Sequence, residues 1–381
     1  MTLTNRKMEQ EYTYWMALAH TERMRTARKN EIIVQCYERA ITLPDFFHCE
    51  EAVWQKDFDL TPEETDWLNA SKKELPNYSF EAESLLEQGY GLIPILSPDY
   101  PKTLKQNLKK TYAPPLLYTK GNLQLLKADS LAIVGSRLAG TVSLQFTDNI
   151  AKLATAAGKA VVSGYAKGVD KQALDSALKY GGKSIVVLPQ GITTFASGFK
   201  ALYKDIIAGN VLVLSAFHPK APWSAGLAMA RNPIIYGMAQ DIYVAESDSK
   251  GGTWSGVIDG LRKMRRIYVR NPLPDEKNAN QLLIEKGAIP VSLQGEICME
   301  EKAACVSEPA SPYEGLDDRI GKLLKKQKLT SKEIIERLAL SSWTTRKMTD
   351  YLKKMPDVEA CGKSPLKFTM KGGIDNEPTL F

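Results

Sequence analysis

The residues best suited to chemistry sit in two glycine-bearing turns. The first is Gly135-Ser136-Arg137, directly after the apolar run Leu131-Ala132-Ile133-Val134. The second is Ser163-Gly164-Tyr165-Ala166-Lys167-Gly168-Val169-Asp170, after Ala160-Val161-Val162. Each reads as strand, tight turn, helix, with a basic residue in or at the turn. Glycine lets a backbone approach an oxyanion closely. A helix N-terminus adds free N–H groups and the positive end of its dipole, and arginine can grip a phosphate with two bonds. Gly164 and Gly168 in one short loop can build a nest of N–H groups, to which Lys167 adds charge. The chemistry predicted is phosphate binding. If both turns end parallel strands, they lie on one carboxyl edge and face one crevice.

Two more segments extend that edge. In Ala230-Arg231-Asn232-Pro233-Ile234-Ile235, the polar Arg231 and Asn232 stand out from an apolar stretch. Either they reach the crevice or Arg231 makes a buried ion pair. Lys250-Gly251-Gly252-Thr253 follows the strand expected over 241–245 and is a third glycine-bearing loop. Three such loops make a long rim, which suits a run of phosphates better than one nucleotide. Tyr165 either stacks on a base or packs on a neighbouring loop. Asp170 reads as the N-cap of the following helix.

Signatures of bond-breaking chemistry are missing. There is no GxGxxG fingerprint and no acidic residue placed to hold a ribose, which disfavours dinucleotide binding. No GxSxG, HExxH, P-loop or kinase motif occurs. Asp170, Asp175, Glu246 and Asp248 could pair as carboxylates, but caps and surface ion pairs explain them equally well. His20, His48 and His218 have no metal-ligand spacing, and neither do the five cysteines. The expectation is a binding protein rather than an enzyme, with no catalytic residue, metal or cofactor. An odd, scattered cysteine set without CxxC points to a reducing, cytoplasmic setting. No apolar run approaches the roughly 20 residues of a membrane span, and no apolar leader segment opens the chain.

The elements that position these turns follow from periodicity. Strands are expected over 131–134, 160–163, 184–188, 211–214, 241–245 and 266–269, with helices near 141–157, 170–180, 199–208, 224–238 and 254–263. That alternation predicts an α/β core with a mostly parallel sheet covered on both faces. Residues 1–78 read as a small domain of short helices, with Thr61-Pro62-Glu63-Glu64 a clear helix start. Residues 79–295 form the core, including a short edge strand over Gly91–Leu96 marked by Pro94. Residues 296–314 read as a linker, 315–371 as a helical unit with a two-stranded wing, and 372–381 as a tail. The net charge is +6, yet residues 315–371 alone hold 14 lysines and arginines against seven acidic residues. A basic appendage on a near-neutral body points to a polyanionic partner. The order of its elements suits a winged helix, with a recognition helix near Ser342–Lys353.

The ordered motifs resemble the DprA/Smf family of DNA-processing proteins. The resemblance rests on Ile133–Arg137, Val161–Asp170 and Gly181-Gly182-Lys183-Ser184-Ile185-Val186-Val187-Leu188. It extends to Asp99-Tyr100-Pro101, Pro114-Pro115, Lys120-Gly121-Asn122, Arg231–Ile235 and Asn280–Ala288, covering roughly residues 92–290. It implies a Rossmann-like core that binds single-stranded DNA, protects incoming DNA in natural transformation and helps load a RecA-type recombinase. It also implies a homodimer formed through the core, with Arg137 and Lys167 as the matching basic residues. This chain departs from the family pattern at Ala173-Leu174, at Pro233, at Lys250–Thr253 and near Thr193–Ser197. Two other readings stay open. One is a nucleotide sensor or nucleotide-cleaving enzyme similar to the phosphoribohydrolases, through Gly251-Gly252-Thr253. The other is a duplex-binding regulator acting through the basic unit.

Overall fold

The computed structural model describes residues 3–298 and most of residues 320–370. Of the expected linker, residues 299–314 lie outside the described residues, as do the tail 372–381 and Ser342. The chain divides into two units, Met1–Met299 and Glu300–Leu380.

The first unit is built on a nine-stranded sheet. Its strands are β1 Gly91–Pro94, β2 Leu116–Gly121, β3 Ser130–Val134, β4 Ala160–Ser163, β5 Ser184–Val187, β6 Val211–Ser215, β7 Asp241–Val244, β8 Ile267–Arg270 and β9 Ile289–Val291. Their order across the sheet is β1-β2-β6-β5-β4-β3-β7-β8-β9. From β6 to β9 every neighbour is parallel. Near one edge β2 alone runs against the others, pairing antiparallel with β6 and with the edge strand β1. Pro94 therefore sits on an edge strand, where its missing N–H costs no ladder bond. Strands β3 to β6 are buried on both faces, and their Val/Ile/Leu runs carry no alternation, as in a sheet with helices on both sides.

The chain builds outward from β3 through β4 and β5 to β6, then returns to place β7 on the other side of β3. The β3–β7 boundary is the switch point where open α/β sheets leave a crevice at their carboxyl ends. Five helices follow the strands that form it: α8 Thr141–Ala156, α9 Val169–Lys179, α10 Ala196–Ala201, α11 Tyr203–Ile207 and α12 Ala225–Met238. After β7 come α13 Gly252–Arg262 and α14 Asn280–Glu285. The single helix expected over 199–208 is broken at Leu202, and β2 and β9 are strands beyond those expected. α12 runs through Pro233, whose ring removes one intrahelical bond.

Seven helices precede β2: α1 Leu3–Ala19, α2 Thr26–Glu38, α3 Leu43–His48, α4 Glu51–Asp57, α5 Pro62–Lys73, α6 Leu75–Glu87 and α7 Lys102–Tyr112. Thr61 caps α5 through a capping box with Glu64, as its sequence requires. Leu43-Pro44 opens α3, where Thr42 and Asp45 form a second capping box. α6 starts at Leu75, with Pro76 in its first turn. Trp15, Phe46, Trp54 and Phe58 from these helices share one buried cluster with Tyr118, Ile185 and Val213 of the sheet. Each such side chain removed from water contributes roughly 1.5–3 kcal/mol before entropic costs. No described helix is long and apolar enough to cross a membrane.

In the second unit, helices Ser331–Arg337 and Thr345–Leu352 accompany a three-stranded antiparallel sheet. Strand Lys367–Met370 lies between Leu329–Thr330 and Val358–Cys361. Thr330 and Glu333 form a capping box at the start of the first of these helices. Trp343 lies before the second helix and not within it, since Thr344 is that helix's N-cap.

Candidate nucleic-acid interface

The crevice at the switch point has a volume of about 420 Å³. Its floor and walls bring together Gly135-Ser136-Arg137, Arg231-Asn232 and Lys250–Thr253. A neighbouring compartment of about 540 Å³ shares Arg137 and Arg231 and adds Gly164, Tyr165 and Lys167. The four basic residues singled out by sequence thus reach the same sheet edge.

Their surroundings divide them into two kinds. Arg137, Lys167 and Lys250 are exposed and make no hydrogen bond or ion pair with any described residue. Arg231 is only 3% exposed. Its Nη1 donates to the Val187 carbonyl at 2.9 Å, and its Nη2 lies 3.8 Å from Asp170 Oδ2. Both alternatives for this residue therefore hold: Arg231 lines the crevice and forms a buried ion pair.

Asp170 is not the cap of α9. Gly168 occupies that position, with φ of +76°, and Asp170 is the second residue of the helix, with its carboxylate buried. Burial raises the Asp170 pKa, opposed by Arg231, by a backbone N–H bond from Ala166, by the charge of Arg137 and by a backbone N–H bond from Gly164. Burial likewise lowers the Arg231 pKa, and Asp170 opposes that shift. For both, desolvation outweighs the partner's attraction, so the pair fixes loop geometry more than it adds stability. Arg231 Nε is buried and has no hydrogen-bond partner among the described residues.

The glycines are there for close packing between the loops. A β-carbon on Gly135 would come within 2.6 Å of Val169, and one on Gly168 within 2.4 Å of the Ser136 carbonyl oxygen. On Gly164 it would lie 1.4 Å from Arg231 Nη1. Ser163 Oγ donates to the Asp170 carbonyl, and Ser136 Oγ accepts the Leu138 N–H. Gly252 abuts Asn232, whereas Gly251, at φ of +97°, has open space beside it. Glu246 Oε2 accepts from Gly140 N–H and Ser143 Oγ, and Ser143 also accepts from the buried Arg270. This network holds the loop carrying Lys250 against β3 and β8.

Tyr165 has a left-handed φ of +61° and meets Phe195 edge to face, with ring centroids 4.9 Å apart. Its packing contact is real, and its ring still lines the second compartment. Two residues not singled out by sequence complete the rim. Trp223 is 53% exposed and lines both compartments, and Leu138 is 92% exposed beside Arg137. The available signal for Trp223 was an aromatic set in the polar, proline-containing run Lys220-Ala221-Pro222-Trp223-Ser224.

Residues 91–302, more than half of the chain, match the family model described as DNA recombination-mediator protein A. The chain belongs to the DprA/Smf family. DNA processing protein DprA of Streptococcus pneumoniae is 35% identical over 158 residues, 41% of this chain and 55% of that protein. Protein Smf of Escherichia coli is 30% identical over 216 residues, 56% of this chain and 57% of that protein. The chain thus spans about half the length of these relatives. The X-ray structure of Streptococcus pneumoniae DprA superposes with a TM-score of 0.60 at 24% identity, covering 78% of this chain and 100% of that one. The DprA fold is therefore shared well beyond the segment of closest sequence similarity.

Proposed function

We propose that this chain is a single-stranded DNA-binding recombination mediator of the DprA type. Its groove would run along the carboxyl edge of β4, β3 and β7. Arg137, Lys167 and Lys250 meet backbone phosphates, and Tyr165 and Trp223 offer ring faces to unstacked bases. The observation that carries this reading is the placement of unpaired cations beside aromatic rings on one edge. Non-specific single-strand binders combine these two features, a charged track for the backbone and stacking platforms for the bases. Arg231 would act from below, by its charge and by fitting the loop after β4 against the crevice wall. The proposal includes the setting that the resemblance implies: protection of incoming single strands and loading of a RecA-type recombinase, by a homodimer formed through the core.

The second unit is read as a winged helix that adds affinity for DNA or binds another protein. Support for the name comes from the order helix, helix, two-stranded wing and from the +7 charge surplus of residues 315–371.

The test is oligonucleotide binding by the full chain. Arg137→Ala with Lys167→Ala should weaken binding of a single-stranded oligonucleotide at least tenfold at moderate salt, on the order of two lost phosphate contacts. Equal affinity of variant and parent would remove the groove from the account. Release of free base from a nucleoside monophosphate by the pure protein would favour the nucleotide-cleaving reading instead.

A further inference from the structure

The loop between β6 and α12, residues 216–224, presents Trp223 at the groove and is gripped elsewhere by an N-terminal helix. Glu81 of α6 has a largely buried carboxylate with two partners on that loop, the His218 imidazole and the Lys220 ammonium. His218 Nε2 lies 3.5 Å from Oε2 and Lys220 Nζ lies 3.4 Å from Oε1. Oε1 is buried and has no hydrogen-bond partner among the described residues, so the Lys220 ammonium is its compensation. His218 Nδ1 accepts the Lys220 N–H at 3.3 Å, which directs Nε2 and its proton toward Glu81.

The segment from this clasp to Trp223 is short and stiff. Gly191 N–H donates to the Ala221 carbonyl at 2.8 Å, and Thr193 Oγ1 donates to the Pro219 carbonyl at 2.6 Å. A β-carbon on Gly191 would lie 2.1 Å from the Pro219 oxygen, so the two loops cannot separate and repack freely. Pro222 then fixes one backbone angle directly before Trp223. Displacing Lys220 therefore displaces the indole.

We propose that Glu81 is a positioning residue for the groove: by holding His218 and Lys220 it sets the loop that offers Trp223 to single-stranded DNA. This rests on the reading of the groove given above. The helical layer then governs affinity for a ligand it does not touch. Packing alone does not explain a carboxylate here, because an apolar side chain would fill the same space without a desolvation cost.

The experiment is a double-mutant cycle on the full chain, read by fluorescence anisotropy with a labelled oligothymidine. Glu81→Gln should weaken binding about fivefold and Trp223→Ala about tenfold, the order of a misplaced and a lost base stack. The double variant should bind no more weakly than Trp223→Ala alone, since Glu81 acts on binding only through that ring. If Glu81→Gln fails to fold, Lys220→Ala on the exposed side of the same ion pair carries the same expectation. Unchanged binding by Glu81→Gln, or additive losses, would overturn the proposal and leave the groove reading intact. Unchanged binding by Trp223→Ala while Arg137→Ala still weakens it would also overturn it. Unchanged binding by both of those variants would overturn the groove reading with it.

Discussion

The Arg231 guanidinium passes directly against Gly164, where a β-carbon would lie 1.4 Å from Nη1. A glycine in one crossover and an arginine two crossovers later thus form a single fitted contact beneath the groove. The contact explains why the loop after β4 has no side chain at that point. It also links the two compartments, since Arg231 lines both.

Gly164→Ala should therefore destabilise the protein by about 1–3 kcal/mol or more, as forced overpacking does. Urea unfolding measures the loss directly. Single-strand affinity should fall in parallel, because Arg231 must move and Tyr165 is the next residue. A variant as stable as the parent would mean that the loop yields without cost.

Asp170→Asn should leave the buried Arg231 charge without its counterion. Breaking a buried pair from one side costs about 3–5 kcal/mol. The expected result is a clear drop in the urea midpoint with an unchanged m-value. A loss well below that range would show that the backbone N–H groups at Ala166 and Gly164, not the ion pair, hold this carboxylate in place.

Stability should also respond to pH through His20. Its Nε2 lies 2.7 Å from the Tyr118 hydroxyl, and the ring is stacked on that tyrosine. Burial, then His218 and Lys29, hold its pKa well below the ordinary value of 6.5. The unfolded chain takes up a proton there that the folded chain refuses. This contribution is complete above about pH 7.5 and is lost as pH falls through about 6.5 toward the folded value. Urea midpoints between pH 8 and 5 should decline, and His20→Gln should flatten the slope by up to one proton. An equal slope in both proteins would contradict the assignment.

Tyr165 gives a separable pair of effects. Its φ of +61° is costly for a residue with a β-carbon. Tyr165→Gly should exceed Tyr165→Ala in stability by about 1 kcal/mol, because only glycine adopts that angle freely. Both variants should bind single strands more weakly, since both lose the ring. Matching thermal unfolding with binding for the two variants separates backbone strain from stacking.

The sheet's central strands were legible because β3 to β8 are unbroken apolar runs separated by helical periods, a pattern that few other arrangements produce. β9, with Pro290 at its centre, was not, because three residues carry no period. Leu329–Thr330 was hidden for the same reason. At the site, Arg137, Lys167 and Lys250 stood out as charges in glycine turns. The role of Asp170 did not, since a carboxylate at a helix start is read as a cap unless its distant partner is known. Trp223 and Phe195 were missed because loop aromatics have no local pattern; only the sheet order brings 165, 195 and 223 together. The family resemblance, carried by short motifs spread over some 200 residues, was legible where any single motif was weak.

The most direct measurement is the salt dependence of binding to single- and double-stranded oligonucleotides of one length, for the parent and for Arg137→Ala with Lys167→Ala. The parent should prefer the single strand, with log affinity falling linearly with log salt. The double variant should lose about 1.4 from that slope, roughly 0.7 for each phosphate contact removed. Equal slopes for parent and variant, or a parent that prefers the duplex, would contradict the central claim.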